Sequence, residues 1–421
     1  MTRRPRLLFI SSRFLFPANE GGKIRTSNIL RQMKGGAFEL MLASPAPADV
    51  SDFVQDIRGV CDRFRLWPAR SRSRMRRVLA LAAPVPVSVA TDQSRAGRAA
   101  IARAIVERPD VVVIDFPHTT VLVPKRIDFA SVIFTHNVEV EIFERHAELT
   151  GGLWHLIWRD QTRKMQAFEQ AALRRVDSVI SVSSRDADAL RRRYGLSVVE
   201  QIDTGVDLDF FQFMVPAARS DGGTIVFIGA MDSPANIDGI TFLMNEIWPL
   251  VARARPGARA VIVGRQPPEP LVATVRDRRL AWTFTGLVDD IRPYAAAAHI
   301  SVIPLRIGSG TRIKAFEAMA MGRPVVSTRV GVEGLDIESG RHFLAADDPN
   351  EFAAAILRLL DDAALCETLA SQARARLVER FSWAHVARQF EAICLRALRR
   401  KSGSYSSRQG EEAEQDIGEA S

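Results

Sequence analysis

Short apolar segments without polar alternation constrain the fold of this sequence more than any other feature. Examples are residues 111–116 (VVVIDF), 224–229 (TIVFIG), 260–264 (AVIVG) and 300–305 (ISVIPL). Runs of this kind are typical of parallel strands that helices cover on both faces. Because longer amphipathic stretches alternate with them, the sequence predicts βα units and an α/β fold with two doubly wound domains.

The predicted elements set the expected domain boundaries. A linker is expected at 216–223 (PAARSDGG), between a first domain at 1–215 and a second at 224–380. The polar, acidic tail at 401–421 predicts disorder. A long helix is expected at 153–175, and strands at 7–12, 39–43, 63–67, 111–115, 131–135, 178–182, 198–202, 224–228, 259–263, 281–285, 300–303 and 324–328.

Composition excludes several classes of protein. The 421 residues are 47% hydrophobic and 25% charged, which are average values for globular domains and exclude general disorder, collagen-like repeats and coiled coil. The net charge of +8 permits anionic partners such as nucleotide phosphates or an acidic membrane surface. Three distant cysteines lack metal-ligand spacing and fit a reducing cytoplasm. The apolar runs are too short for a signal peptide or a membrane span.

A glycine-rich turn at the start of a helix is the strongest functional signal. Gly308, Ser309, Gly310 and Thr311 follow a predicted strand, and free backbone N–H groups at such a turn bind anions. In the alternative interpretation the turn only caps the helix, and the charged side chains around it lie on a solvated face. It contains neither a P-loop nor a complete Gly-x-Gly-x-x-Gly motif, which argues against an NTPase and a typical dinucleotide-dependent dehydrogenase.

Charged side chains surround this turn. Arg306 and Lys314 bracket it and could supply positive charge to a diphosphate. Glu317 lies on the following helix, where its carboxylate could accept hydrogen bonds from ribose hydroxyls.

Two further signals follow predicted strands in the first domain. Gly21 and Gly22 precede a helix, where the backbone could approach a ligand closely, although such a pair is often only a turn. His136 and Asn137 lie at the end of another strand. A lone histidine is more often structural, but the end of a strand favours function, and His118 is a weaker candidate of the same kind.

Taken in order, these segments resemble the retaining GT-B glycosyltransferases of the family-four type, often called glycosyl transferase group 1. The resemblance covers about residues 6–399, and the block at 308–328 is also similar to a subgroup linked to bacterial exopolysaccharide loci. It rests on the glycine pair, THNVE (135–139), SVSS (181–184), GVD (205–207), FIG (227–229), TGLVDDIRP (285–293), GSGTRIKAFEAMAMGRPVVST (308–328) and FSW (381–383).

This resemblance implies a fold and a reaction. Two Rossmann-like domains should face each other across a cleft, with a final helix at 382–399 packing back on the first domain. The second domain should bind a nucleotide-sugar donor, and the first a glycan or lipid-linked acceptor. The implied enzyme is a retaining hexosyltransferase of cell-surface polysaccharide synthesis that needs neither a metal nor a cofactor.

The resemblance also implies roles for individual residues. His136 should lie near the transferred sugar, and Gly22 should approach the diphosphate or the acceptor side together with Gly21 and Asn137. Glu317 should hold the donor ribose, while Arg306 and Lys314 should contact the diphosphate. The donor should also contact the phosphate turn and Gly229, and Gly286 and Val288 should meet the base largely through their backbone.

The sequence departs from the family at two places. Ser309 occupies the position of the first glutamate of the family's pair, which helps to hold the transferred sugar. Residues 229–231 lack the arginine, and a nearby lysine, with which many relatives bind the diphosphate. We therefore expect that contact to come from Arg306, Lys314 or Arg265.

A basic cluster lies at residues 70–77, from Arg70 to Arg77. Its five arginines form either a solvated face or a patch that docks on anionic lipid, at the cytoplasmic face of the membrane. Nucleic acid is not expected as a partner, because the cluster lacks interleaved aromatic residues. Two alternatives to the transferase remain: a catalytically silent GT-B partner of a polysaccharide assembly complex, and a GT-B sugar-nucleotide epimerase.

Overall fold

The computed structural model describes residues 3–18, 20–69, 74–214, 222–307 and 313–418, without the side chains of 74, 149 and 403–418. The chain divides into two compact units. Unit 1 comprises Met1–Asp203 and Trp383–Ser421, and unit 2 comprises Thr204–Ser382. Each unit contains one parallel sheet with helices around it, which confirms the predicted α/β fold class.

Unit 1 is built on a seven-stranded sheet in the order β3-β2-β1-β4-β5-β6-β7. Every neighbouring pair in it is parallel. Its strands are β1 (Arg6–Ser11), β2 (Glu39–Ala46), β3 (Arg63–Pro68), β4 (Val111–Asp115), β5 (Ala130–Phe134), β6 (Ser178–Ser181) and β7 (Val199–Gln201). Its helices are α1 (Gly21–Met33), α2 (Val54–Val60), α3 (Arg74–Leu79), α4 (Val87–Asp92), α5 (Arg95–Val106), α6 (Glu139–Leu149), α7 (Gly152–Leu173), α8 (Ser184–Tyr194) and the C-terminal helix Trp383–Gly418.

The central strands of unit 1 are buried on both faces, as their continuous apolar sequence predicts. Along β1, Leu7 and Phe9 belong to one core cluster, and Leu8 and Ile10 belong to the other. This alternation follows from the two-residue period of a strand.

The C-terminal helix completes the first of these two clusters. The ring of Phe390 lies 5.1 Å from that of Phe134 and 6.4 Å from that of Phe9. The Glu391 carboxylate accepts a 2.7 Å hydrogen bond from the Ala37 amide. One core of unit 1 therefore combines residues from both ends of the chain.

Unit 2 is built on a six-stranded parallel sheet in the order β10-β9-β8-β11-β12-β13. Its strands are β8 (Thr224–Ile228), β9 (Arg259–Val263), β10 (Trp282–Gly286), β11 (Ile300–Ile303), β12 (Val325–Ser327) and β13 (Leu344–Ala345). Its helices are α9 (Pro234–Phe242), α10 (Trp248–Ala254), α11 (Glu269–Asp277), α12 (Arg292–Ala297), α13 (Ile313–Ala320), α14 (Pro349–Asp361) and α15 (Ala363–Arg376), so the C-terminal helix is named α16.

The structure differs from the sequence prediction at two boundaries. Residues from Thr204 belong to unit 2 rather than to the first domain, because Val206 bonds to Phe381 and Met214 to Met321 through their backbones. Helix α16 also continues to Gly418, through residues 401–418 of the tail that was expected to be disordered at 401–421. Polar composition predicted disorder there, but the tail contains no proline that would stop a helix already formed.

Candidate active site

In unit 1, polar side chains meet where the strand order reverses. Strands β1 and β4 are neighbours, and the chain leaves β1 toward β2 on one side and returns at β4 on the other. Ser11 ends β1, Asp115 ends β4, and His136 follows β5 by two residues. Ligands of doubly wound sheets bind at such switch points.

His136 is the centre of this cluster, and both its ring nitrogens are engaged. Its Nε2 lies 2.8 Å from Asp115 Oδ1, and its Nδ1 lies 3.1 Å from Arg25 Nη1. Because a guanidinium can only donate, Nδ1 accepts and the ring proton lies on Nε2, where it is donated to Asp115. Ser11 donates a 2.9 Å hydrogen bond to the other Asp115 oxygen.

Burial sets the charge of this cluster. It lowers the pKa of His136, an effect that the hydrogen bond and charge of Asp115 partly offset, so the imidazole is neutral near pH 7. Burial also lowers the pKa of Arg25 to about 10, against the opposing charges of Asp115 and Asp186. Arg25 therefore remains a cation, and a sugar hydroxyl that bonds to His136 Nδ1 would compete with it.

Aromatic rings hold the imidazole in place. The Phe116 ring stacks on His136 with a centroid distance of 4.1 Å, although Phe116 has a φ of 64°, in the left-handed region that side chains disfavour. A Cβ atom on Gly22 would lie 3.1 Å from the Phe116 ring and 3.6 Å from His136 Nδ1. A Cβ on Gly21 would meet no atom within 4 Å. The close approach of α1 to this cluster therefore explains the glycine at position 22 but not the glycine at position 21.

The segment after His136 leads into an acidic pair, half-buried Glu139 and fully buried Glu169. Asn137 is exposed, and its side chain bonds to the Glu139 carboxylate. The Glu169 carboxylate accepts hydrogen bonds from the Glu139 amide (2.9 Å) and from the Tyr194 hydroxyl (2.7 Å). Burial and the charge of Glu169 raise the pKa of Glu139 to about 7.

His118, the weaker candidate, lies beside the same rings. Its ring stacks on Phe116 at 5.0 Å, and its Nε2 lies 3.7 Å from Asp92 Oδ2. The three rings of His118, Phe116 and His136 therefore form a continuous row along the ends of the strands.

Unit 2 has its own switch point, between β8 and β11. Gly229 follows β8, and its amide donates to the Val263 carbonyl on β9 at 2.9 Å. A Cβ on Gly229 would lie 2.9 Å from both Lys314 Nζ and Asn236 Nδ2. The absence of a side chain at 229 lets this lysine reach the end of β8.

Lys314 is the cation placed at this switch point. Its ammonium group donates a 2.8 Å hydrogen bond to Asn236 Oδ1 and lies 4.6 Å from the centre of the Phe227 ring. Asn236 is itself fixed by a 2.7 Å bond from Nδ2 to the Ala230 carbonyl. Because the amide is neutral, this hydrogen bond orients the lysine without adding a negative charge beside it.

Arg306 and Arg265, which were also expected to contact the diphosphate, contact carboxylates instead. Arg306 bonds to Asp238 at 2.6 and 3.1 Å, lies 3.6 Å from Glu246, and stacks over a phenylalanine ring. Arg265 bonds to Asp232 at 3.0 Å. A diphosphate would have to displace these carboxylates in order to use either arginine.

Glu317 lies on α13, three residues after Lys314, and is half-buried. Burial raises the pKa of its carboxyl group, and the Lys314 charge lowers it. Hydrogen bonds from partners such as hydroxyl groups would stabilise the charge of a carboxylate in such surroundings.

The expected base-binding segment follows β10. Gly286 has a φ of 72° and open space where a Cβ would lie, while the Val288 side chain packs against a small core cluster. Contact with a base at Val288 would therefore use its backbone. Strand β10 is two positions from β8, about 10 Å at the usual strand spacing, which is a suitable separation for the base and the diphosphate of one nucleotide.

Several predicted site residues lie outside the described residues. Among them are Gly308, Ser309, Gly310 and Thr311 of the phosphate turn, and Arg70 and Arg72 of the basic cluster. In the part of the chain that is described, no group of three or more His, Cys, Asp or Glu side chains could hold a metal ion. No helix in that part has the length and apolarity needed to cross a membrane.

Sequence reasoning missed Arg25, Asp115 and Asn236. Asp115 ends a predicted strand beside its neighbours, so its position offered a signal. Arg25 lies one turn into α1 after the glycine pair, whereas Asn236 is separated from Lys314 by 78 positions and has no local pattern.

Solved structures define the class of the fold. Sucrose-phosphate synthase from Thermosynechococcus elongatus aligns with a TM-score of 0.64 and 19% identity over 93% of this chain and 98% of its own. Anabaena HepE in complex with UDP aligns with a TM-score of 0.63 and 15% identity over 92% of this chain and 99% of its own. The two parallel-sheet units are those of a GT-B fold.

Sequence comparison identifies the family. The profile described as Glycosyltransferase Family 4 matches residues 21–210, and the one described as Glycosyl transferases group 1 matches residues 222–362. The chain belongs to these group 1, family-four glycosyltransferases. It is 28% identical to MMP alpha-(1->4)-mannosyltransferase of Mycolicibacterium hassiacum over 61% of this chain and 63% of that protein. The chain thus spans about three fifths of that curated relative.

Proposed function

We propose that this glycosyltransferase transfers a hexose, with retention of configuration, from a nucleoside-diphosphate sugar on unit 2 to an acceptor on unit 1. The acceptor is a glycan or lipid-linked glycan of cell-surface polysaccharide synthesis, and the reaction takes place at the cytoplasmic face of the membrane. The observation that carries the proposal is the Lys314 ammonium, held by the Asn236 amide at the β8–β11 switch point.

The donor site uses three features of unit 2. The open backbone at Gly229 gives a diphosphate access to the lysine, whose charge offsets that of the phosphates. Glu317, three residues further along α13, accepts hydrogen bonds from the ribose hydroxyls. The segment at Gly286 contacts the base.

The same groups serve the reaction. Negative charge builds up on the departing diphosphate, and a pre-placed ammonium stabilises this charge without reorganising solvent. The acceptor hydroxyl attacks on the face from which the diphosphate leaves, and the departing phosphate oxygen takes the hydroxyl proton. In this scheme the enzyme needs no dedicated base, metal or cofactor.

The unit 1 cluster has a positioning role in this proposal. His136 and its partners lie at the acceptor-side switch point, where the neutral ring borders the sugar without adding a charge. Arg76 and Arg77, the members of the basic cluster with described side chains, are exposed and would face anionic lipid.

Similar proteins indicate the first ligands to try. One was crystallised with UDP and another is named as a mannosyltransferase, so UDP, GDP and their glucose and mannose derivatives form the first panel. Calorimetric titration should give binding of one nucleotide family to the wild-type protein. Lys314→Met should weaken it by about 10- to 100-fold, the usual value of a hydrogen bond to a charged group, and Glu317→Gln should weaken binding of ribose-containing ligands.

Lys125→Met is the matched control, because it removes an exposed lysine of unit 1. Equal nucleotide affinity in Lys314→Met and wild type would contradict the assignment of the diphosphate site. If the wild type bound no member of the panel, the donor site itself would be refuted.

A catalytically silent GT-B protein is the second candidate, favoured by Ser309 in place of the family glutamate. Such a protein would bind nucleotide without turnover. Incubation with donor and membrane-extracted acceptor separates the two, since only the transferase forms a glycosylated product. Conversion of the donor sugar without acceptor would instead indicate an epimerase.

A further inference from the structure

Unit 1 contains an apolar cavity that the proposed reaction has not used. It has a volume of about 600 Å³, within the range of about 300–1,000 Å³ for small-molecule sites. Helices α3, α4, α6 and α7 surround it. Its apolar lining includes Val78, Leu81, Val87, Phe143, Ile157 and Trp158.

The mouth of this cavity is unusually apolar. Val78 and Trp154 line the cavity and are each 65% exposed. Their neighbours Met75, Leu79, Leu153 and Leu156 are also exposed, so these two short segments hold six of the fourteen exposed large hydrophobic side chains found in the described part of the chain. Concentration of exposed apolar surface marks an interaction site.

The walls of the cavity are held in place by polar contacts. Lys164 on α7 donates a 2.8 Å hydrogen bond to the Leu81 carbonyl, and Gln161 accepts one of 2.8 Å from the Val87 amide. These bonds join α7 to the segment that carries α4, so they hold two walls of the cavity at a fixed distance from each other.

A second pocket adjoins the first, and its lining is as much polar as apolar, so it is the more polar pocket of the two. It has a volume of about 200 Å³ and lies at the carboxyl ends of β1 and β3, where Ser12, Arg13, Asp92 and Gln93 line it. Thr91 of α4 lines both cavities, so the apolar space and the polar pocket adjoin each other at this short helix.

The polar pocket leads to the strand-end cluster of unit 1. Asp92 contacts His118, which begins the row of rings that ends at His136. Arg13 of the pocket lies over the Phe116 ring at 5.4 Å. The apolar cavity, the polar pocket and the switch point at His136 therefore follow one another within unit 1.

Charge around the apolar cavity favours an anion. Arg77 lines the cavity itself, and the described residues 75–91 contain two arginines and no aspartate or glutamate. A molecule with a hydrocarbon chain, a phosphate and a polar sugar head would match the apolar space, the arginine and the polar pocket in turn.

We propose that the two adjoining cavities form the acceptor site, and that the acceptor is a phosphate-bearing lipid. Its hydrocarbon chain occupies the apolar cavity, Arg77 contacts its phosphate, and its sugar head lies in the polar pocket beside Thr91. The exposed apolar rim faces the bilayer from which the lipid enters. This inference rests on the proposed function and names the class of its acceptor.

Farnesyl phosphate, below its micelle concentration, is the probe, and its binding is measured by calorimetric titration of the full chain. The wild-type protein should bind it, and Ser88→Trp, which fills the cavity from its exposed wall, should bind at least tenfold more weakly. Val106→Trp is the matched control, since it places the same side chain at an exposed position of α5, away from the cavity. Inorganic phosphate alone should not compete.

Cross-linking with a benzophenone derivative of the probe is a second measurement that does not depend on a folded variant. Label on residues 77–91 and 154–161 supports the proposal, whereas label confined to other segments overturns it. Absence of farnesyl phosphate binding by the wild type, or unchanged affinity in folded Ser88→Trp, overturns it too. Titration of UDP and GDP sugars on the same sample tests the donor site separately, so failure of the lipid site is distinguishable from failure of the transferase.

Discussion

Glu139→Gln should stabilise unit 1, and increasingly so as the pH rises. Glu139 is half-buried at the first position of α6, and its neighbour Glu169 is fully buried. Burial raises the pKa of Glu139 most, and the charge of Glu169 adds to this effect, so that the pKa rises from 4.5 to about 7. Its ionised form is therefore less favourable in the folded than in the unfolded chain, and this difference lowers stability as pH rises toward and through the folded pKa.

The magnitude follows from the two pKa values. A shift from 4.5 to about 7 costs at most about 3 kcal/mol of unfolding free energy when the group is fully ionised. Linkage gives a cost of about 1 kcal/mol at pH 5 and about 3 kcal/mol at pH 8. Because water reaches part of the carboxylate, we expect the advantage of the neutral glutamine to grow by about 1–2 kcal/mol between these pH values.

Urea unfolding of both proteins at pH 5 and pH 8 measures this difference. Glu148→Gln, on the exposed face of the same helix, is the control and should show no pH-dependent gain. A gain for Glu139→Gln that is equal at the two pH values, or a loss at pH 8, would refute the claim that burial shifts this carboxyl group.

Two substitutions of glycine test the strand-end clusters. Gly22→Ala should destabilise unit 1 by about 1–2 kcal/mol in urea unfolding, because its Cβ would lie 3.1 Å from the Phe116 ring, whereas Gly21→Ala should be neutral. Gly229→Ala places a methyl group 2.9 Å from the Lys314 ammonium and from Asn236 Nδ2, so it should lower the melting temperature and weaken nucleotide binding about tenfold in titration of the folded variant. Unaltered affinity would contradict the role of that glycine.

The sequence predicted most of the fold because its strands are continuous apolar runs. The bounds expected for the strands at 224–228 and 259–263 coincide with β8 and β9, and the helix expected at 153–175 is α7, Gly152–Leu173. The short β13, Leu344–Ala345, was missed, because two residues are too few to show a strand period.

The site was less predictable because it depends on contacts between distant segments. Lys314 was expected near the diphosphate, but the charges that neutralise Arg306 come from Asp238 and Glu246, which no local pattern pairs with it. Likewise, nothing in the sequence around His136 reveals that Arg25 occupies its second nitrogen. Single residues at strand ends can be predicted from position, while their partners require the tertiary structure.

The packing of α16 has a consequence for synthesis of the protein. Phe390 completes the core around Phe9 and Phe134, yet the ribosome makes all of unit 2 between residues 204 and 382 before this helix emerges. The first 203 residues must therefore wait with part of an apolar sheet face exposed, while the uninterrupted unit 2 segment can fold as soon as it leaves the exit tunnel. In a nascent chain stopped before Trp383, we therefore expect chaperones to bind the first 203 residues more than the unit 2 segment.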